Sequence, residues 1–235
     1  MRNLLKSGLN LILPSYAWIP ALVTVGGGQV IYFATKSYAA QAEHVDMSIF
    51  IDDQLPFVSF FVLFYVLAYG QWFWHYVYHY RKSREACYHY ATVDLLARIF
   101  CLLFFLVLPA EIQRPEVTGD GIWDAMTRWI YESDTPHNLF PSIHCLASWL
   151  AFRAALERKD APRWYAPVQL VFSLLVFAST VLIKQHFVVD IFAGIAVVEV
   201  AWLLSRRLRL WRVFSYIELP AIRESRPSLQ KDTNL

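Results

Sequence analysis

Charge is scarce in this chain. Asp, Glu, Lys and Arg make up 17% of its 235 residues, against 57% hydrophobic and 17% aromatic. A typical soluble domain is about 25% charged, so the composition argues against one and for a polytopic membrane protein. Cysteine is scarce as well. Cys87, Cys101 and Cys145 show no paired spacing and two lie in apolar runs, which leaves no disulfide framework and no cysteine zinc site. The formal charge is only +2, and the basic residues follow a pattern unrelated to nucleic acid, so no such partner is expected. The one glycine cluster, Gly26–Gly28, has no strand before it and is not a phosphate loop. Small residues that let helices approach are the better account.

Long apolar runs are what the chain does have. Six segments approach the roughly 20 residues a membrane helix needs: 11–35, 55–80, 92–112, 139–157, 163–184 and 188–205. The expected fold is all-α, six transmembrane helices in a bundle over residues 1–212, with a polar, flexible tail over 213–235. Basic residues concentrate before the first segment (Arg2, Lys6) and after the second, fourth and sixth, while most acids fall in the alternate loops. The bias of Lys and Arg towards cytoplasmic loops then puts both termini in the cytoplasm and three loops outside. The run from Leu11 to Ala34 is longer than a signal-peptide core and is interrupted by Pro14 and Pro20, so a span is expected rather than a cleaved leader.

Several local features have a structural reading. The stretch "QWFWHYVYHY" (Gln71–Tyr80) reads as an aromatic belt at the inner interface. His75 and His79 share a helix face but lack a third ligand nearby, so packing is expected rather than metal. Asp94 and Arg98, one turn apart inside a span, are expected to pair. "IWDAMTRWIY" (Ile122–Tyr131) is amphipathic and expected to lie along the outer surface.

Three polar clusters fall on the outer side in this topology: Arg114-Pro115, "PSIH" (Pro141–His144), and "STVLIKQHFVVD" (Ser179–Asp190). Pro141 suits a first helical turn. The free N–H groups there, including those of Ser142 and Ile143, then form an anion site. Arg114 and Lys184 supply two cations to match a phosphate monoester. His186 and Asp190 are four apart and share a helix face. A carboxylate on one imidazole nitrogen fixes the tautomer and leaves the other free to attack. His186 is thus the expected nucleophile, Asp190 its partner and His144 the proton donor to the leaving oxygen. The chemistry is in-line phosphoryl transfer through a phosphohistidine, with no metal and no cofactor.

Arg114-Pro115, "PSIH" and H-x-x-x-D resemble the three ordered motifs of the type 2 phosphatidic acid phosphatase (PAP2) superfamily of membrane lipid phosphatases, whose usual forms are K-x6-R-P, P-S-G-H and S-R-x5-H-x3-D. Order and six-span layout match over roughly residues 55–205, with a motif core at 92–205. The resemblance implies the same roles for His186, Asp190, His144 and Arg114, and a phosphorylated lipid as substrate in the cell membrane. The chain departs from the pattern at Val107, Ile143 and Thr180, where the family has lysine, glycine and arginine. Arg98 is no substitute for the lysine, since sixteen helical residues would put it about 24 Å from Arg114. Lys184 is the evident replacement. Similar degenerate forms occur in the inositol phosphorylceramide and sphingolipid synthase branch, which moves a phospho-headgroup onto a lipid alcohol. Lipid phosphatase, headgroup transferase and non-catalytic membrane scaffold or transporter are the readings to separate. Oligomeric state is left open by the sequence.

Overall fold

The computed structural model describes residues 12–217, and every regular element among them is a helix. Helix α1 (Ser15–Ala39) begins after Pro14 as a 3-10 turn and passes through a π-helical stretch at Leu22–Gly26. That wider register begins two residues after Pro20, which has no N–H to give and crowds the preceding turn. Thr24 bonds the Pro20 carbonyl at 2.9 Å. Then come α2 (Phe50–Gln54), α3 (Val62–Tyr80), α4 (Arg84–Val107) and α5 (Ile122–Ser133). The chain continues through α6 (Ile143–Ala155), α7 (Tyr165–Leu182), α8 (Val188–Arg207) and α9 (Val213–Ile217).

All six expected segments contain a helix, but only four, α1, α4, α7 and α8, are long and apolar enough to cross a membrane among the described residues. The second expected segment is α3, whose 19 residues include Gln71, His75 and His79. The fourth, expected over 139–157, is shorter than its apolar run. Ser142 caps α6 by accepting from the Cys145 N–H, so residues 139–142 approach it as an irregular segment. Its 13 residues span about 20 Å at 1.5 Å each, against a hydrocarbon core of about 30 Å. It is instead enclosed by α3, α4, α7 and α8.

Two close approaches hold this bundle. A Cβ on Gly194 of α8 would lie 3.1 Å from the Leu146 nitrogen, 3.2 Å from the Ser142 carbonyl and 3.3 Å from the Cys145 Cβ. Hydrogen in place of a side chain thus lets α8 press against the first turn of α6. At Gly28 of α1, a Cβ would sit 2.8 Å from the Arg98 Cζ, so the glycine cluster makes room for a buried guanidinium as well as for a helix. Arg98 Nε bonds both Asp94 oxygens at 3.1 Å, and Tyr76 donates to Asp94 at 2.6 Å. The pair is a three-residue network.

The aromatic stretch on α3 does not form a belt facing one interface. Its side chains are split between faces: Gln71, His75, His79 and Tyr80 are buried, Phe73 and Trp74 are exposed, and Trp72, Phe73 and Tyr76 line a cavity. The His75 and His79 rings stack at 5.3 Å, and His75 stacks on Tyr165. The amphipathic segment is a helix as expected: α5 buries Thr127 and Ile130 and exposes Ile122 and Trp129. The expected tail begins inside the fold, because Phe214 of α9 is buried against Tyr88. The rest of that tail, with Arg2 and Lys6 at the other end, lies outside the described residues.

Candidate active site

The turn between α7 and α8 is built around one left-handed residue. Lys184 has φ 51°, and the Thr180 carbonyl accepts from both the Gln185 and His186 N–H groups, at 2.9 and 3.1 Å. This reverses the chain within four residues and delivers His186 just before α8. Asp190, in the first turn of α8, accepts from the Phe187 N–H and from His186 Nδ1, each at 3.0 Å. The helix cap and the orientation of the His186 ring use the same carboxylate oxygen. With Nδ1 engaged as donor, the lone pair of His186 resides on Nε2.

His144 stands across from it, with ring centroids 6.3 Å apart. Helix α6 brings His144 there because its start is pinned by the Ser142 cap, worth about 1 kcal/mol, and by the glycine contact with α8. Aromatic side chains enclose the imidazole. Tyr65 stacks on it at 3.8 Å, Trp72 lies at 4.9 Å and Tyr69 meets it edge-on at 5.5 Å. Trp72 is itself fixed by donating to Ser148 at 3.1 Å. These three positions carried no motif; their signal was only an aromatic-rich helix.

Both histidines line one cavity of about 470 Å³, along with Ile143, Asp134, Asn138 and Arg98. Arg98 bonds Tyr76 and His144 stacks on Tyr65. Those tyrosines are eleven residues apart on α3, about 16 Å along its axis. The cavity itself extends from the histidine pair to the Arg98 network.

Arg114 does not line this cavity directly. It donates to the carbonyls of Tyr131 (3.0 Å) and Asp134 (2.8 Å) and to the Gln185 side-chain oxygen (2.6 Å). Burial pushes its pKa down, against the pull of the Asp134 carboxylate. The bond to Gln185 places Arg114 one residue from His186. Lys184 is placed elsewhere. Its ammonium donates to the carbonyls of Asp52 (2.9 Å) and Leu55 (2.8 Å), and Asp52 in turn accepts from the Val188 N–H at 2.8 Å. Lys184 therefore ties the turn to the segment around α2 and is not among the cavity-lining residues. Thr180, where the motif would have arginine, is fully buried and bonds the Phe177 carbonyl.

Four buried polar atoms around the pair have no hydrogen-bond partner: Arg114 Nε, Gln185 Nε2, His144 Nε2 and Asp190 Oδ1. Buried polar groups are nearly always satisfied. Three nitrogens on residues at or next to the His186 turn suit a group rich in oxygen acceptors. Residues 113–214 match the PAP2 superfamily. The PAP2 match starts one residue before Arg114 and contains all three motif remnants, in line with the resemblance read from them. It fits a phosphatase-type membrane protein. No curated protein and no solved structure matches the chain.

Proposed function

We propose that this chain is an integral-membrane lipid phosphatase or diphosphatase that works through a phosphohistidine on His186. Its substrate is a phosphate-monoester or diphosphate lipid, of the kind represented by phosphatidic acid, phosphatidylglycerol phosphate or a polyprenyl diphosphate. Six segments cross the membrane in this reading, the short α6 doing so inside the bundle and extended by the irregular residues 139–142; both termini are cytoplasmic, and the cavity opens to the extracytoplasmic side of the cell membrane. The observation that carries the proposal is the His186 imidazole, oriented by Asp190 at 3.0 Å and facing His144 across a shared cavity.

The steps balance with these residues alone. The Nε2 lone pair of His186 attacks phosphorus in line, and the bond from phosphorus to the lipid oxygen breaks. Protonated His144 gives its proton to that oxygen. Water then attacks the phosphohistidine while His144 takes a proton back, the P–N bond breaks, and inorganic phosphate leaves. Arg114, freed from Gln185 by a competing phosphoryl oxygen, and the N–H groups at Ser142 and Ile143 hold the equatorial oxygens. Lys184 supports the turn, given its two carbonyl partners.

Headgroup transfer is the second reading, favoured by one observation. The cavity is larger than a phosphoryl group needs, and its polar lining continues through Asp134 and Asn138 to Arg98. A lipid alcohol would then replace water in the second step. Purified protein in detergent, given phosphatidic acid, a polyprenyl diphosphate and a phosphoinositol lipid with and without an acceptor lipid alcohol, separates the two. Phosphate release that vanishes in His186→Ala supports hydrolysis, and headgroup transfer without phosphate release supports the transferase. Folded protein inactive on all three would leave a non-catalytic scaffold or transporter.

A further inference from the structure

Three loops meet where His137 lines the cavity, and each brings one side chain able to ligate a metal ion. His44 follows α1, Glu111 follows α4 and His137 precedes α6. His44 Nδ1 lies 3.1 Å from one oxygen of Glu111, and His137 Nδ1 lies 3.8 Å from the other. The ligand atoms of all three residues lie within 4.8 Å of one another. Tetrahedral zinc, with ligands at about 2.0–2.2 Å, requires ligand-to-ligand separations of roughly 3.3–3.5 Å, which these distances bracket.

The hydrogen bonding favours a cation at this point. His44 Nε2 donates to the Ala39 carbonyl at 2.7 Å, so in the neutral ring the lone pair is on Nδ1, aimed at a carboxylate. Two electron-rich atoms at 3.1 Å repel each other unless a proton or a metal ion lies between them. An imidazole fixed by a backbone carbonyl on its far nitrogen is also the usual support of a metal-bound histidine. His137 Nδ1 is buried and has no hydrogen-bond partner.

Backbone pairing organises the trio before any ion arrives. The Val45 N–H donates to the Pro109 carbonyl at 2.8 Å, and the Ile112 N–H donates to the Pro136 carbonyl at 3.3 Å. Each bond joins sequence neighbours of two of the three side chains. The His44 and His137 rings stack nearly parallel, with centroids 4.8 Å apart, and Glu111 is exposed enough for an ion to enter.

We propose that His44, Glu111 and His137 form a zinc-class divalent-metal site beside the cavity, with the remaining position open to solvent. Two imidazoles and one carboxylate are a donor set zinc accepts. The rings, 8° from parallel without the ion, have to tilt towards each other for both lone pairs to meet one ion. The site fastens the loops that lead to Arg114 and into α6, and no step of phosphoryl transfer runs through it. It stands independently of the proposed function.

The test is metal binding by the full-length chain, purified in detergent without an affinity tag of histidines and stripped with chelator. Zinc titration followed by equilibrium dialysis is expected to give one ion per chain, and cobalt is expected to give the visible absorption of a four-coordinate site. Glu111→Gln and His44→Gln should each lower affinity by more than the roughly 10–100-fold that loss of a supporting partner costs. Both variants are checked for a monodisperse size-exclusion profile, so that one serves if the other fails to fold. Folded wild type that binds no more zinc than these variants overturns the proposal and leaves a protonated His44–Glu111 ion pair.

Discussion

Replacing Asp190 by Asn is the sharpest challenge to the histidine mechanism, because it changes a proton position and little else. One oxygen of Asp190 accepts from both the Phe187 N–H and His186 Nδ1, each at 3.0 Å. An asparagine has one acceptor oxygen and one NH₂ group. If its oxygen keeps the Phe187 N–H, its NH₂ turns towards His186. Nδ1 must then accept, and the ring proton moves to Nε2, the atom that has to attack. The same exchange in a serine-protease triad lowers turnover about 10⁴-fold through the wrong tautomer. Here the helix cap survives the change, so folding should hold. We therefore expect turnover to fall about 10³–10⁴-fold, which is roughly 4–5.5 kcal/mol of barrier at 1.36 kcal/mol per factor of ten. Phosphate release from a lipid phosphate, measured in detergent with thermal unfolding alongside, reads both quantities. Radiolabelled substrate with an alkaline quench reports the phosphohistidine, which should become undetectable. Turnover within tenfold of wild type, in protein of unchanged stability, would refute the role given to Asp190.

Other substitutions probe the frame around the pair. Gly194→Val places a branched side chain against Leu146, Ser142 and Cys145. Overpacking of this kind costs about 1–3 kcal/mol, seen as a lowered unfolding temperature, and turnover should drop further as the two histidines separate. Trp72→Ala removes one wall of His144 and the bond to Ser148; turnover is expected to fall by about tenfold or more while the protein stays folded, a change of roughly 1.4 kcal/mol or more in barrier. Lys184→Met should cost about 1.5–3 kcal/mol of stability, in the range for hydrogen bonds to a charged group, with KM for the phosphorylated substrate nearly unchanged. A large rise in KM without loss of stability would return Lys184 to the phosphate site.

The elements legible in the sequence were those with local causes. The helices follow their apolar runs, the Asp94–Arg98 pair follows i,i+4 spacing, and the His186–Asp190 bond needs only one helical turn. The convergence of the second and third polar clusters was also readable, because short connections between spans restrict where their ends can lie. Contacts made across long stretches of sequence were not. Lys184 looked like a free cation until the segment around α2, more than a hundred residues earlier, supplied two carbonyls for it. The aromatic stretch on α3 gave no clue as to which side chains face His144, since that depends on how α3 is rotated against α6. The shortness of α6 was hidden because the apolar Leu139 and Phe140 continue the hydrophobic run ahead of its Pro141-Ser142 start. His44, Glu111 and His137 share no local pattern, being separated by two long helices and a surface helix.

The cavity is assembled from two unlike contributors. His144 and His186 belong to the segment that matches the PAP2 superfamily, whereas Tyr65, Trp72, Tyr76 and Arg98 precede it. Under the proposed mechanism, bond-breaking residues and molecule-selecting residues therefore sit on separate stretches of chain and can diverge at separate rates. Mutation in α3 and α4 could retune which lipid is accepted while leaving the reaction untouched, and a chimera that exchanges only the first hundred residues would carry the preference with it.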